Sequence, residues 1–222
     1  MRREGLTAGV AAGFAAIALA GCGGGSDGAQ ATAASVVTAA AECPRTWLAG
    51  WQRIADRVGA PVYCPTWMPD PLDGKIDGDY RNVIAVDDRD RSYLVSFIWL
   101  DRDAGGVSSE VHVNFRGYPG STRVPTCQET HTVKGVTKRR PIPCFSDRRA
   151  TRRVGGLDVD VYTVNQGIDQ WHVLYAWRRD GSLYTVSEHV APPYGFGRVV
   201  SNLNRMVRGL VLVEPAGAAG SG

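Results

Sequence analysis

Apolar residues return every three or four positions in two stretches of the chain. Trp47, Leu48, Trp51, Ile54, Ala55 and Val58 are interleaved with Arg53, Asp56 and Arg57, a spacing that predicts an amphipathic helix over 45–58 with a heavy aromatic face. Gly59 and Pro61 supply its stop. Phe196, Val199, Val200, Leu203, Met206, Val207 and Leu210 form a similar stripe around Arg198, Arg205 and Arg208 and predict a second helix over about 196–209. Between the helices the period falls to two. Residues 80–86 and 92–100 are β-branched and aromatic runs, and Val111, Val113 and Phe115 alternate with His112, Asn114 and Arg116. Leu157, Val159, Val161 and Thr163 alternate with Asp158, Asp160 and Tyr162. Residues 170–178 and 182–190 face one another across Arg179-Asp180-Gly181, the clearest hairpin signal in the chain, with Trp171, Val173, Tyr175 and Trp177 sharing one face. Residues 210–213 close the domain as an extended segment. Strands that do not alternate with helices point to an α+β fold, in which an antiparallel β-sheet is packed by an N-terminal and a C-terminal amphipathic helix.

The first 22 residues follow a different pattern. Arg2 and Arg3 precede an Ala-rich apolar run from Thr7 to Ala20, too short and too broken by glycine for a membrane span of about 20 residues. A basic start, a short apolar segment and small residues before a cut form a signal peptide. Leu19-Ala20-Gly21-Cys22 resembles the lipobox of bacterial lipoproteins. The resemblance implies cleavage before Cys22 and a diacylglycerol thioether on its sulfur, hence anchorage to the cell membrane with the domain outside the cytoplasm. Residues 1–21 are then the signal and 22–42 a lipidated tether. The tether lacks aromatics and is built from Gly, Ala, Ser and Thr, so it has too little apolar surface to order itself and spans on the order of 25 Å. Two catalytic patterns match inside it, G-x-S-x-G at Gly24–Gly28 and G-x-G-x-x-G at Gly23–Gly28. Both require a strand feeding a helix, a context foreign to a Gly-rich tether. Residues 43–215 suffice for one domain with its own core, and 216–222 form a small-residue tail that frays.

The end of the domain carries a further likeness. Val154-Gly155-Gly156-Leu157 leads through Trp177-Arg178-Arg179-Asp180-Gly181-Ser182-Leu183-Tyr184 to Met206-Val207-Arg208-Gly209-Leu210. This resembles the ending of an uncharacterised domain of bacterial envelope lipoproteins and anti-sigma-factor-like proteins, where a W…G…Y hairpin precedes a terminal helix. Pro61-Val62-Tyr63-Cys64-Pro65, with Pro69 after it, resembles that domain's opening piece, although Cys64 stands where an apolar residue is more usual. The likeness covers the last third and this opening, and brings no catalytic residues with it.

Five cysteines less the lipidated one leave an even number, the pattern of disulfides in an oxidising compartment. Of three pairings, Cys43–Cys64 and Cys127–Cys144 are preferred because each brackets a short local segment. Zinc is disfavoured, since no C-x-x-C occurs and His112, His131, His172 and His189 are scattered along the chain. The acidic run 70–90 suggests calcium, yet counting from Asp77 places Arg81 at the fifth position and Asn82 where an EF-hand needs glycine. Loss of Arg2, Arg3 and Glu4 lowers the net charge from +3 by one, so bulk charge selects no partner. Residues 134–153 are the exception, with eight Lys and Arg against Asp147 alone. Arg139, Arg140, Arg148 and Arg149 are the candidates there for meeting an anionic surface. No serine or histidine sits in a recognisable catalytic setting. The sequence therefore reads as a non-catalytic envelope lipoprotein that binds an envelope protein or polymer. It needs no cofactor and no metal, and export disfavours nucleic acid. The alternative is a carrier of a lipid or small hydrophobic ligand between sheet and helices.

Overall fold

Helix α1 (Arg45–Val58) begins where the Pro44 carbonyl accepts bonds from Trp47 and Leu48. It ends at Gly59, whose φ of 59° is left-handed and returns its N–H to Ala55, as a glycine C-cap does. The computed structural model describes residues 41–73, 79–101, 109–164, 172–192 and 194–217. The signal, Cys22, most of the tether, Asp77, Trp171 and the end of the tail lie outside the described residues. After α1 the chain forms β1 (Val62–Pro65), β2 (Asp79–Val86), β3 (Tyr93–Asp101) and β4 (Ser109–Tyr118). Next come β5 (Thr126–Val133), β6 (Val136–Pro143), β7 (Arg148–Val154), β8 (Leu157–Val164), β9 (His172–Arg179) and β10 (Ser182–His189). Helix α2 (Phe196–Arg208) and β11 (Leu210–Val213) close the domain.

Seven strands form one antiparallel sheet in the order β2-β3-β4-β10-β9-β8-β7. The fold is α+β and mostly antiparallel sheet. Side chains alternate between its faces, and Val95, Phe97, Val113, Phe115, Val161, Tyr175 and Val186 are buried in one continuous apolar cluster. Trp51, Ile54, Ala55 and Val58 of α1 and Val199, Leu203, Met206 and Val207 of α2 are buried in that same cluster. Trp47 lies 5.4 Å from Phe97 and Trp51 5.8 Å from Phe115, centroid to centroid. Each fully buried side chain of this size is worth about 1.5–3 kcal/mol.

Two small ribbons complete the fold. β1 pairs with β11, Cys64 opposite Val211, and Cys43 is bonded to Cys64 across a sequence separation of 21. Thr66 donates its hydroxyl to the Gly209 carbonyl at 2.7 Å. Trp67, which the sequence leaves without a role, lies under the Arg205 guanidinium at 3.9 Å, a cation–π contact at the end of α2 where a cation also meets the helix dipole favourably. Among the described residues β5 and β6 pair only with each other. Their turn is Lys134-Gly135 with φ of 52° and 77°, the left-handed pair of a tight hairpin. Cys127 and Cys144 are bonded at its base.

Candidate functional site

The face of the sheet opposite the main cluster is part apolar and part polar. Phe145, Tyr162, Leu174, Ala176 and Leu183 bury one another at one end, with Cys144 against them. Farther along the same strands Ser96, Asn114, Thr185 and Ser187 are buried, and Ser96 donates to Asn114 at 2.5 Å. The row ends in histidines. β9 and β10 pair residues whose numbers sum to 361, which sets His172 directly opposite His189. β10 and β4 pair Glu188 with Val113, and the same register continued one residue sets His112 beside His189.

Three adjacent strands thus place one histidine each at the same level, on one face. Their ring centroids are 4.5 Å (His112–His172), 4.8 Å (His112–His189) and 5.0 Å (His172–His189) apart. Adjacent strands are about 4.8 Å apart, so the two distances to His189 are those of a simple row. His112 and His172 stand two strands apart, about 9.6 Å by the same spacing, and their rings have leaned together over His189 until the two Nε2 atoms meet. Glu110 holds the other side of the group. Its Oε1 lies 2.6 Å from Nδ1 of His112, and its backbone carbonyl lies 3.2 Å from Nδ1 of His189.

This corrects the reading of the histidines as scattered: three of the four are neighbours in space. Linear spacing hid them because His112 is brought in by a long-range strand pairing. His172 and His189 were within reach of the sequence, since the two-residue turn at Asp180-Gly181 fixes the pairing of every residue in that hairpin. As the rings stand, no three His, Cys, Asp or Glu side chains among the described residues are placed to hold a metal ion.

A second unusual group faces the helices. Glu188 is fully buried and accepts one bond, from Asn202 Nδ2 of α2 at 2.7 Å. Burial pushes its carboxyl up to about 8, against smaller opposing effects of Asn202 and Arg198. Tyr194 beside it is pushed up to about 12 by burial and by the Glu188 charge. The sequence offers a reader only an alternation of polar and apolar residues in β10, with nothing to mark Glu188 as inward.

The four arginines selected from the basic stretch fall on two elements. Arg139 and Arg140 lie in β6, and Arg148 and Arg149 begin β7 at the edge of the large sheet. The stretch is therefore strand, one part on the arm and one at the sheet edge, where the outer faces are wet. Arg140 pairs with Glu129 at 2.5 Å, Arg148 with Asp160 at 3.3 Å, and Arg149 with Asp147. Among the described residues Lys134, Lys138 and Arg139 take part in no ion pair. All three lie on the β5–β6 arm, whose side chains are almost all exposed. Its tip carries Val133 and Val136, 62% and 58% exposed.

Between α1 and β2–β3 runs a cleft of about 240 Å³ lined by Trp47, Trp51, Ile84 and Phe97, below the roughly 300–1,000 Å³ of ligand pockets. No helix among the described residues is long and apolar enough to cross a membrane. Searches against protein-family models, curated proteins and solved structures return no match to this chain.

Proposed function

We propose that this chain is an exported lipoprotein, anchored through Cys22, whose domain is a non-catalytic binding module of the cell envelope. In this reading the antiparallel sheet and the two amphipathic helices packed on it form the scaffold, and the β5–β6 arm engages the partner. The observation that carries the reading is the arm itself. Eight residues a side reach about 25 Å, yet the arm contributes almost nothing to the core. A disulfide staples its base, and its outer end presents two valines and three cations. Val133 and Val136 close the hairpin as a cross-strand pair, and their exposure together with the neighbouring cations offers an apolar and basic tip to a partner. The charges select an envelope component, protein or polymer, that carries negative charge. The carrier alternative has less support, because the cleft beside α1 is small.

In-cell crosslinking tests the reading. A photo-crosslinker at Val136 should capture one or a few partners, and V133S or K138E/R139E should abolish the capture. Crosslinks no richer than those from a site on α1, such as Gln52, refute it. Cys22→Ala separately tests the anchor: the lipid mass and the membrane fraction should both disappear.

A further inference from the structure

The histidine row invites a question that the binding reading leaves open, namely why three imidazoles converge at the end of a polar sheet face. We propose that His112, His172 and His189 form a binding site for a divalent transition-metal ion of the zinc or copper class.

The distances fit. An imidazole nitrogen sits about 2.1 Å from a bound zinc ion, which puts its ring centroid about 3.2 Å away. Three such rings at angles between 90° and 109° have centroids roughly 4.5–5.2 Å apart. The observed separations are 4.5, 4.8 and 5.0 Å. The outer partners fit as well. Histidine ligands characteristically turn their second nitrogen toward a carboxylate or a backbone carbonyl; the Glu110 carbonyl stands so to Nδ1 of His189, and the Glu110 carboxylate lies within ion-pair distance of Nδ1 of His112. On His112 the contact through Nδ1 leaves Nε2 as the nitrogen that meets His172. His172 brings its own Nε2 to the same place.

Two adjustments are needed. His189 is stacked on the other two rings, at 20° and 25° between planes, and has to turn about its side-chain torsions to aim a nitrogen at a shared ion. Two nitrogens on a single ion lie about 3.3 Å apart, farther than the contact between His112 and His172. Rotating the two rings apart by about 1 Å opens the group to an ion. Lateral packing of three histidines on a sheet does not by itself require that contact, because a relaxed row would keep the first and third rings near twice the strand spacing. Three neutral imidazoles without a thiolate select zinc or copper over the harder magnesium and calcium. The fourth position falls to water or to a ligand from outside, since three protein ligands leave tetrahedral zinc open.

The test uses the full chain, stripped with chelator and checked for native circular dichroism. Titration with zinc alone, followed by calorimetry, should saturate at one ion per chain. Zinc at about 100 times its Kd should raise the thermal midpoint by about 5–10 °C. H112A and H189A should each abolish saturation, and H131A, on the arm, should leave it unchanged. Because the cluster is part-buried, Glu110→Gln provides a second variant that spares the rings; it should weaken zinc by about 10–100-fold. With copper(II), the electron paramagnetic spectrum should show imidazole nitrogen coupling in the wild type and not in H112A. The proposal is overturned if the wild type takes up neither ion saturably, or if uptake survives H112A and H189A in folded protein.

Discussion

Glu188→Gln should flatten the dependence of stability on pH. The carboxyl is fully buried, and burial raises its folded pKa from 4.5 to about 8. In the unfolded chain the same group ionises near its ordinary value. Between these limits the folded protein holds a proton that the unfolded one has lost, so stability is greatest below about pH 4.5 and falls as pH rises toward 8. Integrating over that difference gives a loss of roughly 3 kcal/mol between pH 5 and pH 8. Glutamine keeps the shape and the oxygen that Asn202 bonds at 2.7 Å, carries no proton to lose, and removes this contribution. Urea denaturation of both proteins at half-unit steps of pH measures it. The stability difference, variant minus wild type, should climb by about 3 kcal/mol from pH 5 to pH 8 while the m-values agree. Parallel curves would mean that Glu188 titrates normally in the fold, and the argument from burial would be wrong.

Gly117→Ala should destabilise the domain by about 1–3 kcal/mol, because a Cβ at this position would lie 2.2 Å from the buried Tyr93 ring; denaturation of G117A and of G117A/Y93L checks it, the second change restoring part of the loss. Opening the arm with C127S/C144S removes a constraint across 17 residues and should cost about 3 kcal/mol. Hydrogen exchange should show the amides of β5 and β6 losing protection before those of β9 and β10. Asp160 is held below the usual carboxylate range: burial works to raise it, but bonds from Thr151 and Arg178 and the Arg148 and Arg178 charges prevail. Asp160→Asn should therefore cost about 1–2 kcal/mol at pH 7, and the difference from wild type should vanish as pH falls through the lowered pKa of the folded carboxyl.

Both helices were legible in the sequence almost to the residue, since an apolar stripe with a period of 3.6 is hard to produce otherwise. The hairpin at Asp180-Gly181 was equally plain. β5, β6 and β7 were not. Their side chains are exposed on both faces or on an edge, so the apolar alternation that announces a half-buried strand is missing, and the string of Arg and Lys reads as loop. Local spacing identified both disulfides. The histidine group was only half readable, because pairing inside a hairpin follows from its turn whereas the alignment of β4 on β10 depends on the whole sheet. Glu188 was invisible for a related reason: which face of a strand is buried is decided by what packs on it.

The bond between Cys43 and Cys64 also determines how the domain bears load. Tension applied from the N-terminal side of Cys43 crosses the sulfurs directly to β1, so residues 44–63, which contain all of α1, hang outside the loaded path. The pull reaches the rest of the domain through the β1–β11 pairing, Cys64 opposite Val211. There the chain's last strand takes it up, while Gln52 and Asp56 bond the backbone at Glu214 and Ala216. The aromatic helix lies outside the covalent path of a pull from that side, and reducing this one bond would make α1 the first element to feel it.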